Sequence, residues 1–154
     1  MAGRAKAMVV TSSRLHAVRY KQAIDKYVLQ KGYTEIRALV AFSGKVVVPG
    51  EPFFTESGMN SFPEAQTGAR FKGEDPYDPG DYQVLIVAEK YQTGFDLPLL
   101  HTLYVDKTLS GLAAVQTLSR LNLLHPCKSD TFILYFRNDT DQTITPYLPY
   151  SRPP

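Results

Sequence analysis

A single cysteine, Cys127, excludes an internal disulfide and suits a reducing compartment. Net charge is also scarce. Seventeen Lys and Arg against fifteen Asp and Glu leave a formal +2, so no global field marks a nucleic-acid binder and any basic surface is local. No apolar run approaches the ~20 residues of a membrane span. The opening MAGRAKAMVV has two early basic residues but too short an apolar stretch for a signal peptide, so the cytoplasm is the expected location. No GxxxxGK[ST] loop occurs, so the chain does not cradle a nucleoside triphosphate by that device. His16, His101 and His125 have no partner at ligand spacing; no metal site is expected.

What remains is an ordinary globular composition, 44% hydrophobic and 21% charged over 154 residues, enough for one domain with a sizeable core. Residues 81–107 organise it. QVLIVA (83–88) and HTLYV (101–105) read as buried strands, apolar on both faces as in a parallel sheet covered by helices. The polar loop between them (89–96) leaves the carboxyl end of its strand, where open α/β sheets bind ligands, and it carries Gly94 and Asp96.

Before that stretch, AMVVT (7–11) predicts a first strand. Ser12 and Ser13 offer caps to a helix closed after Lys31 by Gly32, with an apolar stripe of Leu15, Val18, Ile24 and Val28. EIRALVAF (35–42) predicts a second strand ending at Ser43-Gly44. Residues 45–80 are rich in glycine and proline and lack clear periodicity, which predicts an irregular, mobile insertion. Within it, 46–48 and 53–54 suit a small hairpin or simple packing on the domain, and 63–70 suits one short helix. After the central stretch come a helix over 111–124 with Leu112, Val115, Leu118 and Leu121 on its apolar face, and a last strand, DTFILYF (130–136). The pattern predicts an α/β domain over 1–140 with a mostly parallel sheet flanked by helices, then a Pro-rich flexible tail over 141–154.

Four phrases carry a resemblance: VVTSSRLHAVRY (9–20), LVAFSG (39–44), LIVAEKYQTGFD (85–96) and AVQTLSRLN (114–122). In this order and spacing the chain resembles the second RecA-like lobe of a superfamily 2 helicase, and more narrowly the motor subunit of type I restriction enzymes. The resemblance implies a RecA-like three-layer domain and a fragment of an ATP-dependent DNA translocase. It places Gly94 and Asp96 near the nucleotide, and it gives Gln116 and Arg120, four apart on one helix face, to the Q-x-x-x-R-x-x-R motif that acts on the transferred phosphoryl group. It sets Ser13, Arg14, Ser43 and Gly44 at positions that meet the DNA backbone. ATP and Mg²⁺ are implied only when a first lobe is present; the isolated chain is not expected to hydrolyse ATP. The implied partners are the double-stranded DNA backbone, the first RecA-like lobe and other restriction-modification subunits, with no membrane.

The chain departs from that pattern at Leu123, where the motif has its second arginine, and at Tyr135, where the last strand of the family has an acid. Plain structural roles stand beside each assignment. Arg120 also suits a solvated helix face, Asp96 a turn, Ser13 and Arg14 a helix start, and Ser43-Gly44 a turn. Lys90, Lys107 and Lys128 suit either a basic track or scattered solvated positions. Alternatives are a flavodoxin-like doubly wound domain, separated by strand order, and for function a non-catalytic DNA- or protein-binding module or a decayed remnant.

Overall fold

The computed structural model describes residues 5–74, 82–90, 100–107 and 132–135. Five parallel strands form the central sheet: β1 (Lys6–Thr11), β2 (Ala38–Ala41), β5 (Val84–Val87), β6 (Leu100–Asp106) and β7 (Phe132–Tyr135), in the order β2-β5-β1-β6-β7. β1 lies at the centre, paired with β5 on one side and β6 on the other, and its side chains are buried on both faces. Met8 and Val10 point into one core and Val9 into the other.

That alternation runs through the sheet. Leu39, Ala41, Leu85, Val87, Leu103 and Val105 share the face of Met8 and Val10. Val40, Phe42, Ile86 and Ala88 share the face of Val9. Helix α1 (Arg14–Lys31) covers the Val9 face, with Ala17 and Val18 inside that core, while Phe71 of helix α3 (Thr67–Lys72) fills the other. Helix, sheet and helix make the three layers of an α/β, RecA-like domain. Numbered along the central sheet, the strand order is 2-3-1-4-5, not the 2-1-3-4-5 of a flavodoxin-like fold, so that alternative is set aside.

Helix α1 begins and ends as its sequence specifies. Ser13 is the N-cap, its hydroxyl accepting the His16 N–H at 3.1 Å. Gly32 ends the helix in the left-handed region (φ 69°), with Tyr33 N–H on Val28 O and Gly32 N–H on Leu29 O. The buried stripe differs from the predicted one. Ala17, Val18 and Lys21 are buried and Ile24 half-buried, whereas Leu15 is 41% exposed. A lysine inside the stripe hides it from hydrophobic periodicity. The residue is buried while its ammonium reaches Asp25 at 2.6 Å.

The larger correction concerns the stretch expected to be an irregular insertion, within which the suggested hairpin (46–48 with 53–54) and short helix (63–70) do have counterparts. Its described part, up to Glu74, holds an antiparallel hairpin of β3 (Lys45–Val46) and β4 (Phe54–Thr55), helix α2 (Glu56–Asn60), a 3-10 turn (Glu64–Gln66) and α3. These pieces are too short for periodicity to show, and tertiary contacts hold them. Phe62 and Phe71 enter the core beneath the sheet, and Arg70 stacks over Phe62 with its guanidinium carbon 4.2 Å from the ring centre. The predicted helix 111–124 and the tail 141–154 lie outside the described residues. Among those described, no helix is long and apolar enough to cross a membrane.

Leu85, fully buried in the second strand of the sheet, and Leu29, 82% exposed on α1, calibrate this packing. Leu85→Ala should cost about 2–5 kcal/mol in urea unfolding and Leu29→Ala less than about 0.5 kcal/mol. Equal losses would contradict the assignment of the core.

Candidate functional site at the carboxyl ends of the strands

The pairing registers bring the strand ends level. Val10 and Ala41 both stand opposite Val87, and Thr11 stands opposite Asp106. The chain leaves β1 toward β2 and leaves β5 toward β6, in opposite directions across the sheet. Where adjacent parallel strands part in this way, a crevice opens outside their carboxyl ends. Three exits meet there: residues 12–14 after β1, 42–45 after β2 and 88–90 after β5.

Polar side chains stitch these exits together. The Thr11 hydroxyl oxygen lies 2.8 Å from Val87 O and 3.1 Å from Ser13 O, bridging the ends of β1 and β5 to the start of α1. Tyr20 of α1 donates its hydroxyl to Asp106 Oδ2 at 2.7 Å, anchoring the helix to the end of β6. Arg14 reaches across to the β2 exit, where Nη1 donates to Ser43 O at 3.0 Å and Lys45 O at 3.3 Å. Gly44, between those carbonyls, takes φ 73°, and a Cβ there would come 3.1 Å from Arg14 Nη1. The left-handed turn and the close guanidinium both favour glycine here.

The structure therefore joins Ser13, Arg14, Ser43 and Gly44 in one patch. Ser13 caps the helix and Gly44 forms the turn, so their plain structural roles are filled. Both Arg14 contacts run through Nη1, and a guanidinium carries five N–H donors, so the group retains donors for a further acceptor. Gly94, Asp96, Gln116, Arg120 and Leu123 lie outside the described residues, as does the side chain of Tyr135.

A hairpin stands beside the patch. Its Lys45 ammonium lies 4.9 Å from the centre of the Phe53 ring, which is 60% exposed. Arg19 of α1 grips Glu51 in the hairpin's connection with two contacts, 2.7 and 3.1 Å. That hydrogen bond holds the Glu51 carboxyl below its usual range. A depressed carboxyl favours the folded pair above its unfolded value, and the tie is lost as pH falls through the folded one; both groups are solvated, so salt screens it as well.

Sequence reasoning missed the most enclosed acid of the region. Glu56, at the start of α2, is fully buried, accepting the Phe42 N–H at 2.9 Å and the Lys90 ammonium at 2.8 Å on Oε1 and the Thr67 hydroxyl at 2.6 Å on Oε2. Lys90 is thus tied inward and is not a scattered solvated lysine. The available signal was Thr55 before Glu56, an N-cap whose hydroxyl accepts the Gly58 N–H at 3.0 Å, but one cap in a glycine-rich stretch does not announce a buried acid. Among the described residues, no group of three or more His, Cys, Asp or Glu is placed to hold a metal ion.

Comparison with known proteins points one way. The family description "Type I restriction enzyme subunit R domain 3" matches residues 51–138. A putative type I restriction enzyme MjaVIIP endonuclease subunit of Methanocaldococcus jannaschii is 33% identical over 132 residues, covering 80% of this chain and 12% of that protein. The type I restriction enzyme HindI endonuclease subunit of Haemophilus influenzae is 37% identical over 89 residues, 55% of this chain and 8% of its own length. A second M. jannaschii relative, the putative MjaIXP endonuclease subunit, is 29% identical over 150 residues, 96% of this chain and 13% of its own. The chain thus spans a small fraction of the length of the relatives it matches.

The contact between Arg14 and Gly44 yields a direct check. Gly44→Ala should cost about 1 kcal/mol from the left-handed backbone alone. In an Arg14→Ala background, where the guanidinium no longer crowds the new Cβ, the same change should cost less. Thermal unfolding of the four proteins measures that coupling. Strict additivity would mean that Arg14 does not hold this turn.

Proposed function

The chain belongs to the R-subunit family of type I restriction enzymes, and from that premise we propose that it is part of an ATP-dependent DNA translocase motor, the second of its two RecA-like lobes. The observation that carries the reading is the meeting of three strand exits at the carboxyl end of a parallel sheet, with Arg14 and the Ser43–Gly44 turn in one exposed patch. The partners on this reading are the first lobe, the other restriction-modification subunits and the backbone of double-stranded DNA.

The division of labour follows from charge. A motor that moves along duplex DNA without regard to sequence needs contacts to phosphates rather than to base edges. Arg14 supplies a guanidinium for a phosphate oxygen, and the small Ser43–Gly44 turn lets the backbone approach closely. ATP with Mg²⁺ is the substrate between the lobes, where the first lobe supplies the phosphate-binding loop. This lobe brings Gly94 and Asp96 to the nucleotide, and Gln116 and Arg120 to the transferred phosphoryl group. Arginine is suited to that role because its planar fork stabilises charge spread over several oxygens. Leu123 offers no donor where the family motif has its second arginine, which removes one stabilising group from a closed cleft in which each donor counts for more than in water.

Two outcomes test this. The chain should bind unrelated duplexes weakly and alike. Arg14→Ala should weaken all of them equally and lower the slope of log affinity against log salt by about one. Preference for one sequence would indicate base readout and overturn the assignment. The second outcome is catalytic. The chain alone should show no ATP turnover, and when joined to an active first lobe of the family it should stay slow until Leu123→Arg raises turnover by ~10³-fold or more. Equal and high rates for leucine and arginine would show that Arg120 suffices.

A further inference from the structure

Glu56 is a carboxylate with no exposure, and the DNA and nucleotide contacts proposed above make no use of it. A buried charge of this kind is costly unless it is paired and hydrogen-bonded, and here it has three donors. They come from three separate segments: the Phe42 N–H at the end of β2, the Lys90 ammonium after β5, and the Thr67 hydroxyl at the start of α3. Well-packed apolar residues of similar volume generally serve stability as well as a buried ion pair does. Bulk stability therefore does not account for the group. Its partners do, because two of them lie at strand exits of the candidate site.

The connections are short. Phe42 is followed at once by Ser43 and Gly44, and the carbonyls of Ser43 and Lys45 hold Arg14. Lys90 follows Glu89, which takes the left-handed conformation at φ 57°, so the chain leaving β5 turns sharply before its ammonium reaches Glu56. One carboxylate oxygen, Oε1, receives both the Phe42 N–H and the Lys90 ammonium. Any shift of one exit is thereby felt at the other.

We infer that Glu56 is a positioning residue of the strand-end site. Through Phe42 and Lys90 it fixes the exits of β2 and β5 relative to each other, and so presets the Ser43–Gly44 turn and Arg14 for a phosphate backbone. The ligand in this inference rests on the DNA reading above; the positioning itself does not.

The test uses Glu56→Gln in the full chain, which keeps the shape and an acceptor for Phe42 but removes the charge that draws Lys90 in. Amide hydrogen exchange should quicken at Ser43, Gly44 and Glu89 and stay unchanged at Val9 and Val10 of β1. Duplex affinity should fall by about fivefold or more, with the salt slope unaltered because no phosphate contact is removed. Lys90→Met should reproduce both effects and Lys90→Arg, which keeps a cation, should restore wild-type behaviour. Lys90, with its side chain 23% exposed, carries the same comparison if Glu56→Gln does not fold. Unchanged exchange at the exits, or exchange raised equally in β1, would overturn the inference and leave Glu56 as a stabilising group alone. If the wild-type chain binds no duplex, the DNA reading fails while the exchange comparison still decides the positioning.

Discussion

A strand at the edge of a sheet presents backbone N–H and C=O groups that need partners, and in this domain β2 meets that need with side chains. Asn60 of α2 donates to Val40 O at 2.7 Å and accepts from Val40 N–H at 2.9 Å, standing where a neighbouring strand would stand. Two residues on, the Phe42 N–H goes to Glu56 of the same helix. Val40 and Phe42 share a direction because strand groups alternate, and residues one turn apart on α2 serve both. The edge is thus closed by α2 instead of being left open to another chain.

Much else depends on that closure. Holding α2 against β2 sets where the chain goes next, so Phe62 and Phe71 arrive under the sheet to complete the core around Met8, Leu85 and Leu103. The same helix carries Glu56 inward to Lys90, which connects the closed edge to the exit of β5. On the opposite face α1 is held by its own polar ties, Tyr20 to Asp106 and Arg14 to the β2 exit. The strand-end site is thus tied together by a few bonds between elements far apart in sequence.

The family relation adds a constraint of scale. The matched description begins at residue 51, in the hairpin, and runs through α2, α3, β5, β6 and β7. The segment without periodic sequence is therefore shared by the family and is not an appendage to it. Within that segment α2 reaches the exits of both β2 and β5, which ties it to the candidate site.

The sequence by itself determined the parallel α/β class, because β1, β5 and β6 are apolar on both faces and strands buried in that way belong inside a helix-covered sheet. It also determined the limits of α1, because Ser13 and Gly32 are local signals that act within a turn of themselves. The juxtaposition of Ser13–Arg14 with Ser43–Gly44 was legible only through resemblance, since no spacing along the chain brings residues thirty apart together. Only the tertiary structure decided the order of the strands, the buried stripe containing Lys21, the short helix of residues 56–60 and the roles of Glu56, Asn60 and Lys90. The reason is physical. A helix of five residues gains too little from its own hydrogen bonds to show in local sequence, and a glutamate buried by three distant donors looks, in sequence, like any surface acid.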